Sequence, residues 1–333
     1  MRDAGHERIQ RELFLAAFGV HVGVTDTWVT DRLTSLLEEE VARAGETLFS
    51  AGDPPEFYYL LREGRVELRR EGSAPWVYEG RSVFGMSDVL LERPRVRTAL
   101  AMTNIQAMKV QSEAWIELLE DSFALARAAI VGSVRTVAEL EQRLWAAGMS
   151  RRPAASYQGP EGPLDVVERL AVLAEAPLLR GAGVQILSDL AAASEVHVFA
   201  EGEVLVERGK PVGRVLLLLE GEVEASRVGP DVTWRGTAGD IVCGTAAFGD
   251  PILPWEASAR TPGRALTFRV ADWLDLMEEH FDMVRTTLGE LSLDREELLE
   301  RLACCARMFR GPAPRPRRAS MTGVTSVSDR HPT

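Results

Sequence analysis

Apolar residues along this chain follow two periods. Between residues 45 and 70 short apolar runs alternate with glycine-marked breaks, predicting strands at Thr47–Phe49, Phe57–Leu61 and Val66–Arg69. Further on, Trp115, Leu118, Leu119, Phe123 and Ala126 are spaced i, i+3, i+4, i+8, i+11, which places them on one helix face. Trp273, Leu276, Met277, Phe281 and Val284 repeat that face. Short helices are expected before each strand run, at Val29–Glu40 and Val184–Ala193.

The two halves are a duplication. Gly45-Glu-Thr-Leu-Phe-Ser-Ala-Gly52 matches Gly202-Glu-Val-Leu-Val-Glu-Arg-Gly209, and Glu63-Gly64-Arg65-Val66-Glu67 matches Glu220-Gly221-Glu222-Val223-Glu224. All three glycine pairs are offset by 157 residues, and the tryptophan helices by 158. Each half therefore reads as a compact β unit with flanking helices. Domains are expected over 1–147 and 164–310. A Gly/Pro-rich linker at 148–163 carries Gly159-Pro160 and Gly162-Pro163, and a disordered basic tail is expected at 311–333.

Gly-x6-Gly-x11-Gly strands, a Phe-Gly turn and a Pro-Arg pair resemble the cyclic-nucleotide-binding domain. That family includes catabolite-activator-type sensors and the regulatory subunits of cyclic-nucleotide-dependent kinases. The likeness runs over about Arg11–Ala146 and Val167–Arg307. It implies a mainly β fold with flanking α, in two tandem jelly-roll-like β-rolls.

It also implies a ligand cassette in which a glycine turn and a helix N-terminus approach a phosphate. In the family an arginine neutralises that phosphate and a glutamate holds the ribose. The first cassette spans Phe84 to Thr98 and keeps Gly85 and Arg95. Met86 stands at the glutamate position, followed by Ser87, and Asp88 brings a carboxylate to the phosphate's side. Arg97 replaces the usual alanine ahead of Thr98. Asp88 either substitutes for the phosphate against Arg95 or caps the short helix beginning near Ser87. In the second half Gly244, Thr245 and Ala246 are aligned with the turn. Trp255 is aligned with the arginine and Ala257 with the alanine, leaving no visible means of holding a phosphate.

Composition narrows the function. The net charge of −12 opposes binding to nucleic acid or an anionic membrane, and removing the tail's +3 leaves about −15 on the folded part. Three cysteines, Cys243, Cys304 and Cys305, form no disulfide framework and fit a reducing cytoplasm. The charged start and the short apolar stretch Leu13–Val24 show no targeting segment or membrane span, so a soluble protein is expected. Five scattered histidines, His6, His21, His197, His280 and His331, give no metal spacing. No nucleophile has a recognisable base, so neither a catalytic site nor a cofactor is expected.

Arg93, Arg95 and Arg97 alternate, so in a strand they would share one face, either a solvated or ion-paired face or an anion site. Arg317-Arg318-Ala319-Ser320 offers Ser320 to a basophilic kinase. After the rolls, Ile130, Val137, Leu140 and Leu144, then Leu298, Leu302, Cys305 and Phe309, are spaced either to cap their own roll or for self-association or packing between the halves. The expected function is a non-enzymatic regulator acting through an unidentified protein partner, with a homodimer possible. The alternatives are a sensor binding a cyclic nucleotide or small anion through the first half, and a DNA-binding regulator.

Overall fold

The computed structural model describes residues 27–147, 162–176, 179, 182–227, 233–243 and 255–310. The expected linker, apart from 162–163, and the whole tail with Ser320 lie outside the described residues, as do Gly244, Thr245 and Ala246. The domain boundaries are therefore carried forward as a proposal.

The first half opens with α1 (Thr27–Ser35) and strands β1 (Leu37–Ala42), β2 (Thr47–Phe49), β3 (Phe57–Glu63), β4 (Arg65–Arg69), β5 (Trp76–Glu79) and β6 (Ser82–Phe84). It continues with α2 (Met86–Leu90), β7 (Thr98–Ala101), β8 (Ile105–Gln111), α3 (Ser112–Asp121) and α4 (Phe123–Ala146). Two antiparallel sheets face each other, in the orders β1-β8-β3-β6 and β2-β7-β4-β5.

The second half repeats the plan. After α5 (Val166–Glu175) and α6 (Val184–Ala193) come β9 (Glu195–Phe199), β10 (Val204–Val206), β11 (Arg214–Glu220) and β12 (Val223–Arg227). Then follow β13 (Thr233–Gly236), β14 (Ile241–Val242), β15 (Trp255–Ala259), β16 (Gly263–Arg269), α7 (Val270–Glu279) and α8 (Phe281–Arg310). The sheet orders, β14-β11-β16-β9 and β10-β15-β12-β13, are those of the first roll.

Alternation along β3 explains its unbroken apolar run. Tyr58 and Leu60 face the helices, while Tyr59 and Leu61 face the roll interior. In β11, Val215, Leu217 and Leu219 face one way, and Leu216 and Leu218 the other. The turn before β4 requires a glycine. Gly64 has φ +98°, and a Cβ there would lie 2.5 Å from the Asn104 carbonyl oxygen. Its counterpart Gly221, at φ +93°, is equally crowded by Pro262 and Gly263.

Two expectations need correction. Leu37–Glu40 is not helical; it forms most of β1, paired antiparallel with β8. Glutamates favour helix weakly, but Lys109 on β8 reaches the carboxylates of Glu38 and Glu40 at 3.3 and 3.5 Å, which suits them to the sheet. The tryptophan helices each break once, at Ser122 and at His280, both in extended backbone. The two breaks occupy corresponding places, so the turn is part of the repeated unit.

The exit helices join the halves. α8 packs along α4, and one buried cluster contains Ile130, Val137, Leu140 and Leu144 together with Leu288, Leu291 and Leu298. This is packing between halves within one chain. Leu302 is partly buried against that cluster.

Candidate functional site

The first cassette is built on the β6–α2–β7 connection. Gly85 takes the left-handed turn (φ +79°) that ends β6, and a Cβ there would come within 3.2 Å of Arg95. Arg95 is 3% exposed, with its guanidinium 4.3 Å above the Phe49 ring. It donates to the Gly85 and Phe57 carbonyl oxygens, while its Nε has no acceptor. Burial lowers its pKa, opposed by the nearby Asp88 carboxylate. The interior beside it is packed with stacked Phe49, Tyr59 and Phe84 rings, the last two 5.0 Å apart.

Asp88 lies buried on α2 and makes no capping hydrogen bond to the helix. Its Oδ1 accepts from Arg93 Nε at 3.0 Å, and its Oδ2 is 3.9 Å from Arg95. Arg93 is therefore its hydrogen-bonded partner, and Arg95 a closely placed second charge. Met86 and Ser87 are half-buried on α2. Thr98 starts β7 and accepts the Ala51 amide at 3.0 Å.

Arg97 is the most deeply buried charge, at 1% exposure. Its guanidinium lies 3.8 Å from the centre of the Trp76 ring, a cation–π arrangement. It donates to the Leu68 and Ala74 carbonyls and to the Glu300 carboxylate on α8. Burial lowers its pKa and Glu300 works against that shift. The three alternating arginines lie outside the strands, and Arg93 and Arg97 are ion-paired rather than solvated.

α8 lies across this whole region. Arg285 pairs with Glu92, and Gly289 rests against Leu90 and Leu91. Arg295 donates to the Val83 carbonyl at 3.0 Å and to the Tyr78 hydroxyl at 3.3 Å. Glu296 accepts from Arg93, and Glu300 accepts from both Arg97 and Arg70. Leu299 and Ala303 pack on the roll's interior cluster. Burial lowers the pKa of Arg93, but its bonds to Glu296 and Asp88 outweigh that and leave it raised.

Sequence reasoning missed Glu296, Glu300, Arg70 and Trp76. The available signal was Arg97 itself, since a guanidinium in an alanine's place inside a roll requires an anion from somewhere.

Strand register corrects the assignments in the second cassette. Val206 pairs with Ala257 as Phe49 pairs with Ala99, and Arg227 pairs with Trp255. Trp255 is therefore the counterpart of Arg97, not of Arg95. The counterpart of Arg95 is position 253, a leucine in the sequence and outside the described residues. Leu216 pairs with Val242 as Tyr59 pairs with Phe84, so Cys243, not Gly244, corresponds to Gly85. Cys243 accordingly takes a left-handed φ of 66°, uncommon for a residue with a side chain. Ala257 is fully buried and Trp255 partly so. The slip at Cys243 is one residue, which would turn the strand's side chains to the other face, whereas the slip at Trp255 is two, which keeps the face and is decided only by the pairing partners in the sheet.

A cavity of about 610 Å³ opens on the first roll beside β1 and β2. Arg95 lines it together with Phe49, Phe57 and Tyr59. Glu40, Glu46, Asp53 and Glu56 line it against two cations, Arg95 and Lys109, so its net charge does not favour a phosphate. Among the described residues no His, Cys, Asp or Glu cluster could hold a metal ion. No described helix is long and apolar enough to cross a membrane.

The family model of the cyclic nucleotide-binding domain matches residues 39–122 and 196–280, together just over half of the chain. Solved structures similar to the chain include the regulatory domain of Toxoplasma gondii PKA with cAMP. That match has 16% identity and a TM-score of 0.34, and covers 89% of this chain and 99% of that one. Another is the regulatory subunit of a cAMP-independent protein kinase A from Trypanosoma cruzi bound to guanosine (14% identity, TM-score 0.34, 86% and 87% covered). A third is the corresponding subunit from Trypanosoma brucei (13% identity, TM-score 0.35, 85% and 91% covered). No curated protein sequence matches the chain.

Proposed function

Because this chain belongs to the cyclic nucleotide-binding domain family and carries two copies of the domain, we propose that it is a non-enzymatic regulator acting through protein partners. In this reading its cassettes no longer serve cyclic nucleotides, and it works in the cytoplasm. One observation carries the proposal: Arg95 and Arg97 of the first cassette are already committed inside the chain. Arg95 is bound to the Gly85 and Phe57 carbonyls, and Arg97 to Glu300. A phosphate would have to displace those bonds while approaching the buried Asp88 carboxylate, and each charge-assisted bond is worth about 1.5–3 kcal/mol. Met86 supplies no acceptor for a ribose hydroxyl.

Isothermal titration of the full chain with cyclic AMP, cyclic GMP and cyclic dinucleotides tests the reading. No saturable heat is expected, and a Kd below about 10 µM for any of them, roughly −7 kcal/mol, overturns it. A second reading, a small-anion sensor in the first roll, is favoured by the buried Nε donors of Arg95 and Arg97, which lack acceptors. Saturable heat with inorganic phosphate alone would select it.

A further inference from the structure

We propose that the mouth of the first roll is a receptor for an acidic amphipathic helix, and that α8 occupies it in cis. This rests on the regulatory reading above and names the chemistry of the partner. Glu296, Leu299, Glu300 and Ala303 are spaced i, i+3, i+4, i+7, so they form one stripe along α8. The whole stripe meets the first roll. Its two apolar members pack on the roll interior, and its two carboxylates meet arginines. Those arginines, Arg70 after β4 and Arg93 and Arg97 in the α2–β7 connection, converge on two carboxylates one helical turn apart. A single small anion would engage only one end of that array. A helix with a Glu-x-x-Leu-Glu pattern engages all of it.

The receptor is particular to the first roll, since Trp255 stands at the counterpart of Arg97 in the second. The contact is exchangeable from its rim, where the polar part is open to water although Arg97 itself is buried. The Arg70, Arg93 and Glu300 side chains are 46%, 29% and 32% exposed, so water and a competing carboxylate both reach them. Covalent attachment gives α8 an effective concentration of the order of millimolar, which keeps it docked until a partner helix with the same stripe outcompetes it.

The test uses the full chain and a fluorescein-labelled peptide of residues 289–304. Anisotropy is measured against the parent chain and against the variant E296Q/E300Q, whose receptor arginines are intact. The variant is expected to bind the peptide at least tenfold more tightly than the parent. A peptide with both glutamates changed to lysine should bind neither chain. Equal affinity for parent and variant, or equal binding of the charge-reversed peptide, overturns the inference.

Hydrogen exchange on the parent keeps the question open to refutation even if the variant folds poorly. Excess peptide should speed exchange across 289–304, and unaltered exchange there overturns the inference. Cyclic AMP titrated into both chains separates the two readings. Binding to the parent removes the proposed function, whereas a variant that takes cyclic AMP but not the peptide removes the helix receptor alone.

Discussion

Arg97 and Glu300 stand 203 residues apart in the chain, and the buried guanidinium of one donates to the carboxylate of the other across the seam between the rolls. Arg97 also stacks on Trp76, so its position is set from both sides. The pair couples the halves through charge as α4 and α8 do through apolar packing.

Removing one partner should cost more than removing both. Glu300→Gln leaves Arg97 buried against a weaker acceptor, and a loss of about 1–3 kcal/mol is expected. Arg97→Met removes the cation along with its need for an anion. In urea unfolding the double variant should be more stable than the sum of the single losses implies, by about 0.5 kcal/mol or more. Strict additivity would mean that the two side chains do not act as a pair.

Gly64→Ala and Gly52→Ala separate backbone strain from crowding. Both glycines have φ near +95°, at +98° and +94°, but only Gly64 has a carbonyl oxygen at 2.5 Å from a built Cβ. Gly52→Ala should cost about 1 kcal/mol, and Gly64→Ala clearly more, since the β4 turn must move. Thermal melts of the two variants compare them directly.

Leu144 is fully buried in the cluster shared by the two exit helices. Leu144→Ala is expected to destabilise by about 2–5 kcal/mol. It should also loosen the coupling of the halves, visible as a broadened or split calorimetric transition. A single sharp transition at the parent temperature would show that the α4–α8 seam carries little of the stability.

Thiol reactivity should differ sharply between the cysteines. Burial pushes the Cys243 thiol up to about 12, whereas Cys304 is exposed on α8. Since the thiolate is the nucleophile, iodoacetamide at neutral pH should label Cys304 and spare Cys243 until the protein unfolds. Peptide mass spectrometry reads both sites, and early labelling of Cys243 would contradict its burial.

Acid should weaken the second roll through Glu224. The Arg260 hydrogen bond, joined by Arg235 and opposed by burial, holds its carboxyl below the ordinary value. A lowered folded-state pKa contributes stability above the unfolded carboxylate value, and that contribution disappears as pH falls through the folded value. Urea midpoints should therefore drop between about pH 5 and pH 3, with a shallower slope in Glu224→Gln. The effect should be small, because these pairs lie near solvent.

The duplication, the mainly β character of each half with its flanking helices, and the positions of the exit helices were legible in the sequence. They rest on local rules: glycines where the chain turns left-handed, alternation in strands, and the 3.6-residue period in helices. Gly64 and Gly221 announce their turns without reference to anything distant. Tertiary structure decided three other things. Sheet pairing turned Leu37–Glu40 from the expected helix into a strand, because its partners lie on β8, some seventy residues later. Strand register, not the eye's alignment, matched Trp255 to Arg97 and Cys243 to Gly85, because the pairing partners across the sheet distinguish slips of one or two residues that the sequence leaves open. The arginines of the first cassette were plain to read, but their occupants were not. Glu296 and Glu300 look like any solvated helix face until α8 packs on α4. That packing is nonlocal, and it alone brings two carboxylates from the end of the chain onto Arg93 and Arg97.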